Sequence, residues 1–320
     1  MKDKSIHELD TNTQYLKPDT FPHIPVLLKE TIDGLELRRG DIVFEGTVGL
    51  GGHSEKILDA IGTEGVYVGT DEDKEALANA EKRLKRYTSK KVFREENFRN
   101  LDRILDEEGY PLVNKILLDI GLSSLQLEGK RGFSFQRDEP LLMTFRATLR
   151  EGGLTAREIV NEWAADSLTN IFEGYGEEKF AWRIAQKIVA ERKIKPIETT
   201  GELVEIIKKS IPVFARYGRT HFATKVFQAL RITVNDELGA LREGLAKGFE
   251  RLSPGGRMAV ISFHSLEDRI VKTFFKKKVE EGMATLVTKK PIAPQDDEVL
   301  RNPKSRSAKL RILIKQTGNN

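Results

Sequence analysis

The chain's 320 residues, 39% hydrophobic and 32% charged, suffice for one large domain or two smaller ones with a packed core and a well-solvated surface. Its 53 basic and 49 acidic residues leave a net charge of +4 and a pI near 9.0, so any polyanion must be met by local basic patches. The absence of cysteine excludes disulfides, thiolate zinc sites and a cysteine nucleophile; no apolar run could span a bilayer and the N-terminus has no apolar signal core, so a cytoplasmic chain without a membrane partner is expected.

In chain order, the first strong element is the run Ile42-Val-Phe44, a strand predicted over 41–45 that ends in an acid. It breaks into a segment with four glycines, Gly46, Gly49, Gly51 and Gly52, and a helix pattern follows from Ser54, with Ile57, Leu58 and Ile61 on one face. Strand, glycine turn and helix in this order bring a backbone against a nucleotide-like ligand, because a Cβ would block the approach and the positive φ angles. A second strand, 66–71, ends in Asp71, twenty residues beyond Gly51. A carboxylate at that distance suits the two hydroxyls of a ribose. A plain tight turn is the bland alternative for the glycines alone.

A helix from about Asp73 and strands at 91–94 and 115–120 continue the alternation that marks a parallel, doubly wound sheet. From about 125 to 220 the strand signal stops. Helical patterns at 154–163, 177–192 and 200–210 replace it, the last led in by Thr199 and Thr200, and we read the stretch as an all-helical insertion. Helices at 221–235 and through Leu252 lead to a strong strand, 257–263, a helix over 265–278, and two late strands near 285–288 and 309–315. Two late strands without a long helix between them predict an antiparallel hairpin. A nicotinamide-binding sheet ordinarily continues in parallel, whereas an S-adenosylmethionine-dependent methyltransferase sheet ends this way.

Seven segments in order carry a resemblance. They are His23-Ile-Pro-Val-Leu-Leu-Lys-Glu30; Gly49-Leu-Gly-Gly-His-Ser54; Asp119-Ile-Gly-Leu-Ser-Ser124 with Gln126; Arg131-Gly-Phe-Ser-Phe135; Phe227-Gln-Ala-Leu-Arg-Ile232 with Asn235-Asp-Glu-Leu238; Ile261-Ser-Phe-His-Ser-Leu-Glu-Asp-Arg269; and Arg301-Asn-Pro-Lys-Ser-Arg-Ser-Ala-Lys-Leu-Arg311. Over residues 21 to 315 the chain resembles the RsmH (MraW) family of bacterial 16S rRNA cytosine-N4 methyltransferases. The resemblance implies an α/β fold, a Rossmann-like class I S-adenosylmethionine-dependent methyltransferase sheet with an inserted all-helical domain. On that division, 1–124 and 221–320 form the core and 125–220 the rRNA-recognition insertion. It also implies S-adenosyl-L-methionine as cofactor, and as substrate a decoding-region cytosine of 16S rRNA within the small ribosomal subunit. A homodimer stands as one option for the assembly.

Carried over by position, the cofactor contacts are Gly51, Gly52, His53, Asp71, Phe98, Asp119 and Gln126. Asp71 suits the ribose and Phe98 offers a ring face to adenine, although a phenylalanine is as readily core and His53 as readily a helix-start residue. Asp119 ends a strand at the carboxyl edge of the sheet, where ligands of such folds sit. Asp119 or the adjoining backbone carbonyls are the expected acceptors for the target amine, and Asp119 serves equally well as a partner for the cofactor's own amine. Cytosine C5 methylation, which needs a thiolate, is excluded. Substrate contacts are expected at Arg183 and Lys187 in the insertion, beside Trp182, and at Arg301, Lys304 and Arg306 in an acid-free basic run. A solvated helix face is the alternative for the first pair. No metal motif is evident. His264 and Glu267 are plausible neighbours of the site, and a helix cap explains them almost as well.

One stretch departs from the family. Members usually read Asp-Gly-Pro-Leu-Asp-Met-Arg-Met-Asp where this chain has Asp138-Glu-Pro-Leu-Leu-Met-Thr-Phe-Arg146. Glu139, Leu142 and Thr144 therefore put substrate positioning in question more than cofactor binding. Two other readings follow: a non-catalytic assembly factor that keeps the fold, and a nicotinamide-dependent oxidoreductase that shares the glycine loop and Asp71.

Overall fold

A computed structural model describes residues 25–148, 152–218 and 220–317. The N-terminal reading and the first two residues of the His23 motif lie outside it. A strand covered on both faces must be apolar at consecutive positions. In β1 (Ile42–Glu45), Val43 joins one buried layer and Phe44 the other. β2 (Val66–Asp71) divides Tyr67 from Val68 in the same way, and β4 (Val113–Asp119) divides Leu117 from Leu118. With β3 (Lys90–Glu95), β5 (Leu252–Ser262), β6 (Ala284–Leu286) and β7 (Lys309–Lys315), they form a seven-stranded sheet in the order β3-β2-β1-β4-β5-β7-β6. β1 to β5 run parallel. β7 runs antiparallel to both β5 and β6, which it separates, as the late hairpin predicted. This is the Rossmann-like class I methyltransferase sheet.

Helices cover both faces. α1 (Leu28–Leu35), α2 (Gly52–Ile61) and α3 (Lys74–Arg83) give Leu35, Ile57, Leu58, Ile61, Leu77 and Ala80 to one layer. α4 (Leu101–Glu107), with α11 (Glu237–Arg251) and α12 (Ser265–Glu280) from the later half of the chain, gives Leu101, Leu241, Phe249, Val271 and Phe275 to the other. α2 begins at Gly52, two residues before the predicted Ser54. Gly51 takes φ 76° as its N-cap, so the glycine turn runs straight into the helix. Asp73 caps α3, its side chain accepting from the Glu75 N–H. The strand order reverses between β1 and β4, and the crevice outside their carboxyl ends is where such a sheet binds ligands.

After the short α5 (Ser124–Glu128), a second core gathers α6 (Ala156–Glu162), α7 (Ala165–Gly174), α8 (Ala181–Arg192), α9 (Thr200–Ser210) and α10 (Thr224–Asn235). α9 opens with a capping box between Thr199 and Glu202, as the threonines predicted. α8 starts at Ala181, later than the pattern from 177, because Glu177 sits at φ 49° outside the helix. This core runs from Phe133 to Leu230, so the inner face of α10 belongs to it. Asp236, at φ 46°, breaks α10 from α11 and redirects the chain to the sheet. α13 (Asp296–Arg301) and a 3-10 turn, Pro303–Ser307, lie between the last two strands. No helix among the described residues is long and apolar enough to cross a membrane.

Candidate active site

At the reversal point lies a cavity of about 730 Å³, bounded by the ends of β1, β2, β4 and β5 and by the segment 300–304. The glycine loop forms one wall. Gly49 (φ 52°) donates its N–H to Asp71 Oδ2 at 2.8 Å, so the loop and the end of β2 hold each other. The other oxygen of Asp71 accepts from the Asp73 N–H at 2.9 Å. Burial raises the Asp71 pKa to about 6, although both backbone donors pull it down.

The last two glycines of the loop have different jobs. Gly52 lines the cavity, and a Cβ there would come within 2.3 Å of Pro25. Gly51 does not line it; its missing Cβ faces Ala80 and Leu84, and its φ makes the turn. His53 is buried. Its Nε2 donates to the Val26 carbonyl at 3.1 Å, and its Nδ1 lies 3.7 Å from Asp119 Oδ2.

Phe98 opens a short 3-10 turn and lines the cavity. Two glycines make its seat: a Cβ on Gly46 would fall 2.7 Å from the Phe98 Cβ, and one on Gly244 would fall 2.6 Å from its ring. Gln126 also lines the cavity and closes a capping box on α5, its Oε1 accepting from the Ser123 N–H.

Asp119 stands where β4 ends. Its N–H donates to Thr47 Oγ1 at 2.7 Å, while Oδ1 is buried without a hydrogen-bond partner. Burial, with the nearby carboxylates of Glu45 and Glu267, raises its pKa to about 8. An unsatisfied buried carboxyl oxygen at the cavity wall is costly, and a donor brought by a ligand relieves it.

Sequence reasoning noted only that β1 ends in an acid. Glu45 proves to be buried, with both Ser54 Oγ (2.7 Å) and the Tyr67 hydroxyl (2.6 Å) donating to its Oε2. Burial raises its pKa to about 7. Nothing in the sequence of β2 signals that the Tyr67 hydroxyl reaches β1. Also missed was Glu237, which lines the cavity and is held by a two-pronged Arg231 guanidinium at 2.7 and 2.8 Å. Beside it, Glu267 and His264 close the capping box of α12, and neither lines the cavity. Atoms of Glu237, His264 and Glu267 able to ligate a cation lie within 4.8 Å of one another, with Arg231 already on Glu237.

Of the expected substrate contacts, Arg301 and Lys304 line the cavity, whereas Arg183, Lys187 and Arg306 do not. Arg183 and Lys187 ride on α8, where Lys187 pairs with Glu191 at 2.7 Å. The departing stretch is absorbed elsewhere. Glu139 is buried and accepts from the Gly132 N–H, Thr144 donates to the Arg146 carbonyl, and Arg146 bridges Glu72, Glu95 and Glu96 at 3.3 to 3.4 Å. Of residues 138–146, Phe145 alone reaches the cavity wall.

The sequence pattern of the MraW methylase family matches residues 20–316. Among solved structures, the chain is similar to a Clostridium thermocellum protein described as an rRNA methylase, at 12% identity and a TM-score of 0.46, covering 92% of this chain and 99% of that one. It is also similar to an rRNA methylase from Streptococcus thermophilus, at 12% identity and a TM-score of 0.44, covering 92% and 100%. A third is a SAM-dependent O-methyltransferase from Thermotoga maritima, at 10% identity and a TM-score of 0.40, covering 92% and 66%.

Proposed function

The chain belongs to the MraW methylase family, and on that premise we propose that it methylates the exocyclic N4 amine of a decoding-region cytosine in 16S rRNA, within the small ribosomal subunit, using S-adenosyl-L-methionine. The observation that carries this reading is the buried, unpartnered Oδ1 of Asp119 at a cavity that also holds a glycine loop, a ribose-type acid and a seated aromatic ring. Those features fit the cofactor part by part. Asp71 and the Gly49–His53 loop would hold the ribose and the amino-acid end, and Phe98 would cover the adenine. When bound, the cofactor supplies an electrophilic methyl group on a positively charged sulfur.

The cytosine N4 lone pair is delocalised into the ring and is a poor nucleophile. Asp119 answers this by accepting a hydrogen bond from the amine, which draws density onto nitrogen and gives the departing proton a place to go. At neutral pH and without a nearby cation Asp119 holds its own proton; a positive charge in the cavity favours the carboxylate that the reaction needs. His53 stands beside it. With Nε2 donating to the Val26 carbonyl, the ring presents Nδ1 to Asp119 Oδ2 at 3.7 Å. The cavity walls do the rest, excluding water and aligning amine and methyl along one line. The target base must leave its stack to enter, and Arg301 and Lys304 at the rim suit the phosphates beside it.

The test is nucleoside mass mapping of 16S rRNA after the protein is incubated with labelled S-adenosylmethionine and unmethylated small subunits. One N4-methylcytosine in the decoding region is the expected product. Cofactor binding without transfer to rRNA, in naked or assembled form, would overturn the reading and favour the assembly-factor alternative.

A further inference from the structure

Between α9 and α10 the chain makes a 3-10 turn, Val213–Arg216, that carries the densest exposed apolar surface among the described residues. Val213 is 62% exposed, Phe214 76% and Tyr217 81%. Isolated exposed apolar residues are ordinary, but three within five positions on one turn are not. The segment that carries them is predominantly basic, although Lys208 is paired with Glu205 at 3.2 Å. Residues 206–235 hold six lysines and arginines and no acid. A surface meant for another protein's apolar face has no need of that bias, whereas flat rings set in an acid-free, basic segment suit a strand that offers bases and phosphates together.

The turn is also anchored toward the cavity. His221 stacks on Phe135, with ring centroids 4.5 Å apart and planes 8° from parallel. Two residues earlier in the same segment, Phe133 stacks on Phe145 at 5.9 Å, and Phe145 is part of the cavity wall. A ligand held on the turn is thereby held relative to the base that enters the site.

We propose that Phe214 and Tyr217 form a stacking platform for unpaired RNA bases, with Arg216 and the flanking lysines taking the phosphates. This rests on the reading that the substrate is RNA. It goes beyond that reading by assigning recognition to a turn that hydrophobic periodicity does not mark, apart from Arg183 and Lys187 on α8.

The test compares the intact protein with the pairs Phe214→Ala/Tyr217→Ala, Phe214→Leu/Tyr217→Leu and Phe214→Tyr/Tyr217→Phe, whose substitutions lie on the surface. The probes are a fluorescent single-stranded oligoribonucleotide for affinity and unmethylated small subunits for methyl transfer. The alanine and leucine pairs should each weaken oligonucleotide binding by about ten-fold or more per ring lost. They should raise KM for the subunit and leave kcat and cofactor affinity unchanged. The Tyr/Phe pair, which keeps both rings, should behave as wild type. Leucine retaining full affinity would overturn the proposal, because apolar bulk without a flat ring would then suffice. So would an alanine pair that binds RNA normally but loses self-association in sedimentation, which would assign the turn to a second copy of the chain. Wild type transferring no methyl to rRNA would sink the function proposed above, while the oligonucleotide measurement would still decide the platform.

Discussion

The Nδ1 nitrogen of His53 lies 3.7 Å from Oδ2 of Asp119, and its Nε2 donates to the carbonyl of Val26. The imidazole thus spans from the segment leading into α1 to the end of β4, and stands beside a carboxyl whose other oxygen is buried without a hydrogen-bond partner.

Replacing Asp119 separates its two candidate roles. Asp119→Asn keeps the shape and an oxygen able to accept from the amine but removes the carboxylate that takes the departing proton, so kcat for methyl transfer should fall by about 100-fold or more. Isothermal titration with S-adenosylmethionine tells whether the same oxygen also serves the cofactor. A loss confined to cofactor affinity, with kcat intact at saturation, would remove Asp119 from the chemistry.

Three acids hold their protons more tightly folded than unfolded: Asp71 to about 6, Glu45 to about 7 and Asp119 to about 8. The folded chain then binds more protons than the unfolded chain, so these groups cost stability as pH rises toward 8. The ligand-free protein should lose Tm between pH 6 and pH 8, and Asp119→Asn should flatten that decline. Binding a cationic cofactor in the same interval should release a proton, seen as a dependence of binding heat on the buffer's ionisation enthalpy. A wild-type slope in Asp119→Asn, with no proton released, would contradict the buried-acid account.

Gly244→Ala addresses the adenine wall from behind. The new Cβ would sit 2.6 Å from the Phe98 ring, so the ring must move toward the cavity. Overpacking of this kind costs about 1–3 kcal/mol of stability. Cofactor affinity should fall about ten-fold or more, as expected for losing a well-placed ring worth roughly 1–3 kcal/mol to a stacked base. Unchanged affinity would show that Phe98 is core only.

In the Arg231–Glu237 pair the carboxylate is buried and the guanidinium partly so, so removing Arg231 strands a buried charge. Arg231→Leu should destabilise by about 3–5 kcal/mol in urea denaturation. Arg231→Leu with Glu237→Leu should recover part of that loss. A double variant no more stable than the single would mean that Glu237 answers to something other than Arg231.

Arg301 and Lys304 line the cavity rim, and each should contribute one ion-type contact to rRNA. Alanine at either should reduce the slope of log affinity against log salt by about one, with no change in the site of methylation. Arg183→Ala, away from the cavity, provides the comparison.

The sheet was legible because apolar runs buried on both faces have no helical alternative of that length, and each parallel strand lies close to its predicted place. Candidate ligand residues were legible for a related reason: in an open α/β sheet they end strands, as Asp71 and Asp119 do. The jobs of individual residues were less visible. Gly51 and Gly52 are alike in sequence, yet one makes the turn and the other gives way to Pro25 at the cavity. The partnership of Glu45 with Tyr67 depends on strand pairing across Glu45 and Gly69, which no local pattern states. Phe214 and Tyr217 escaped notice because a turn has no period, and only the folded chain tells an outward ring from a core one.

The place of β7 has a consequence for synthesis. Residues 257–262 of β5 pair on that side with residues 309–314, and β6 reaches the sheet only through the same late strand. Until that strand emerges from the ribosome, β5 presents an open edge flanked by one of the most apolar parts of the chain. Unpaired strand edges recruit other strands. A nascent chain that stalls in the stretch before residue 309 would therefore be more prone to aggregate than one stopped in the helical region.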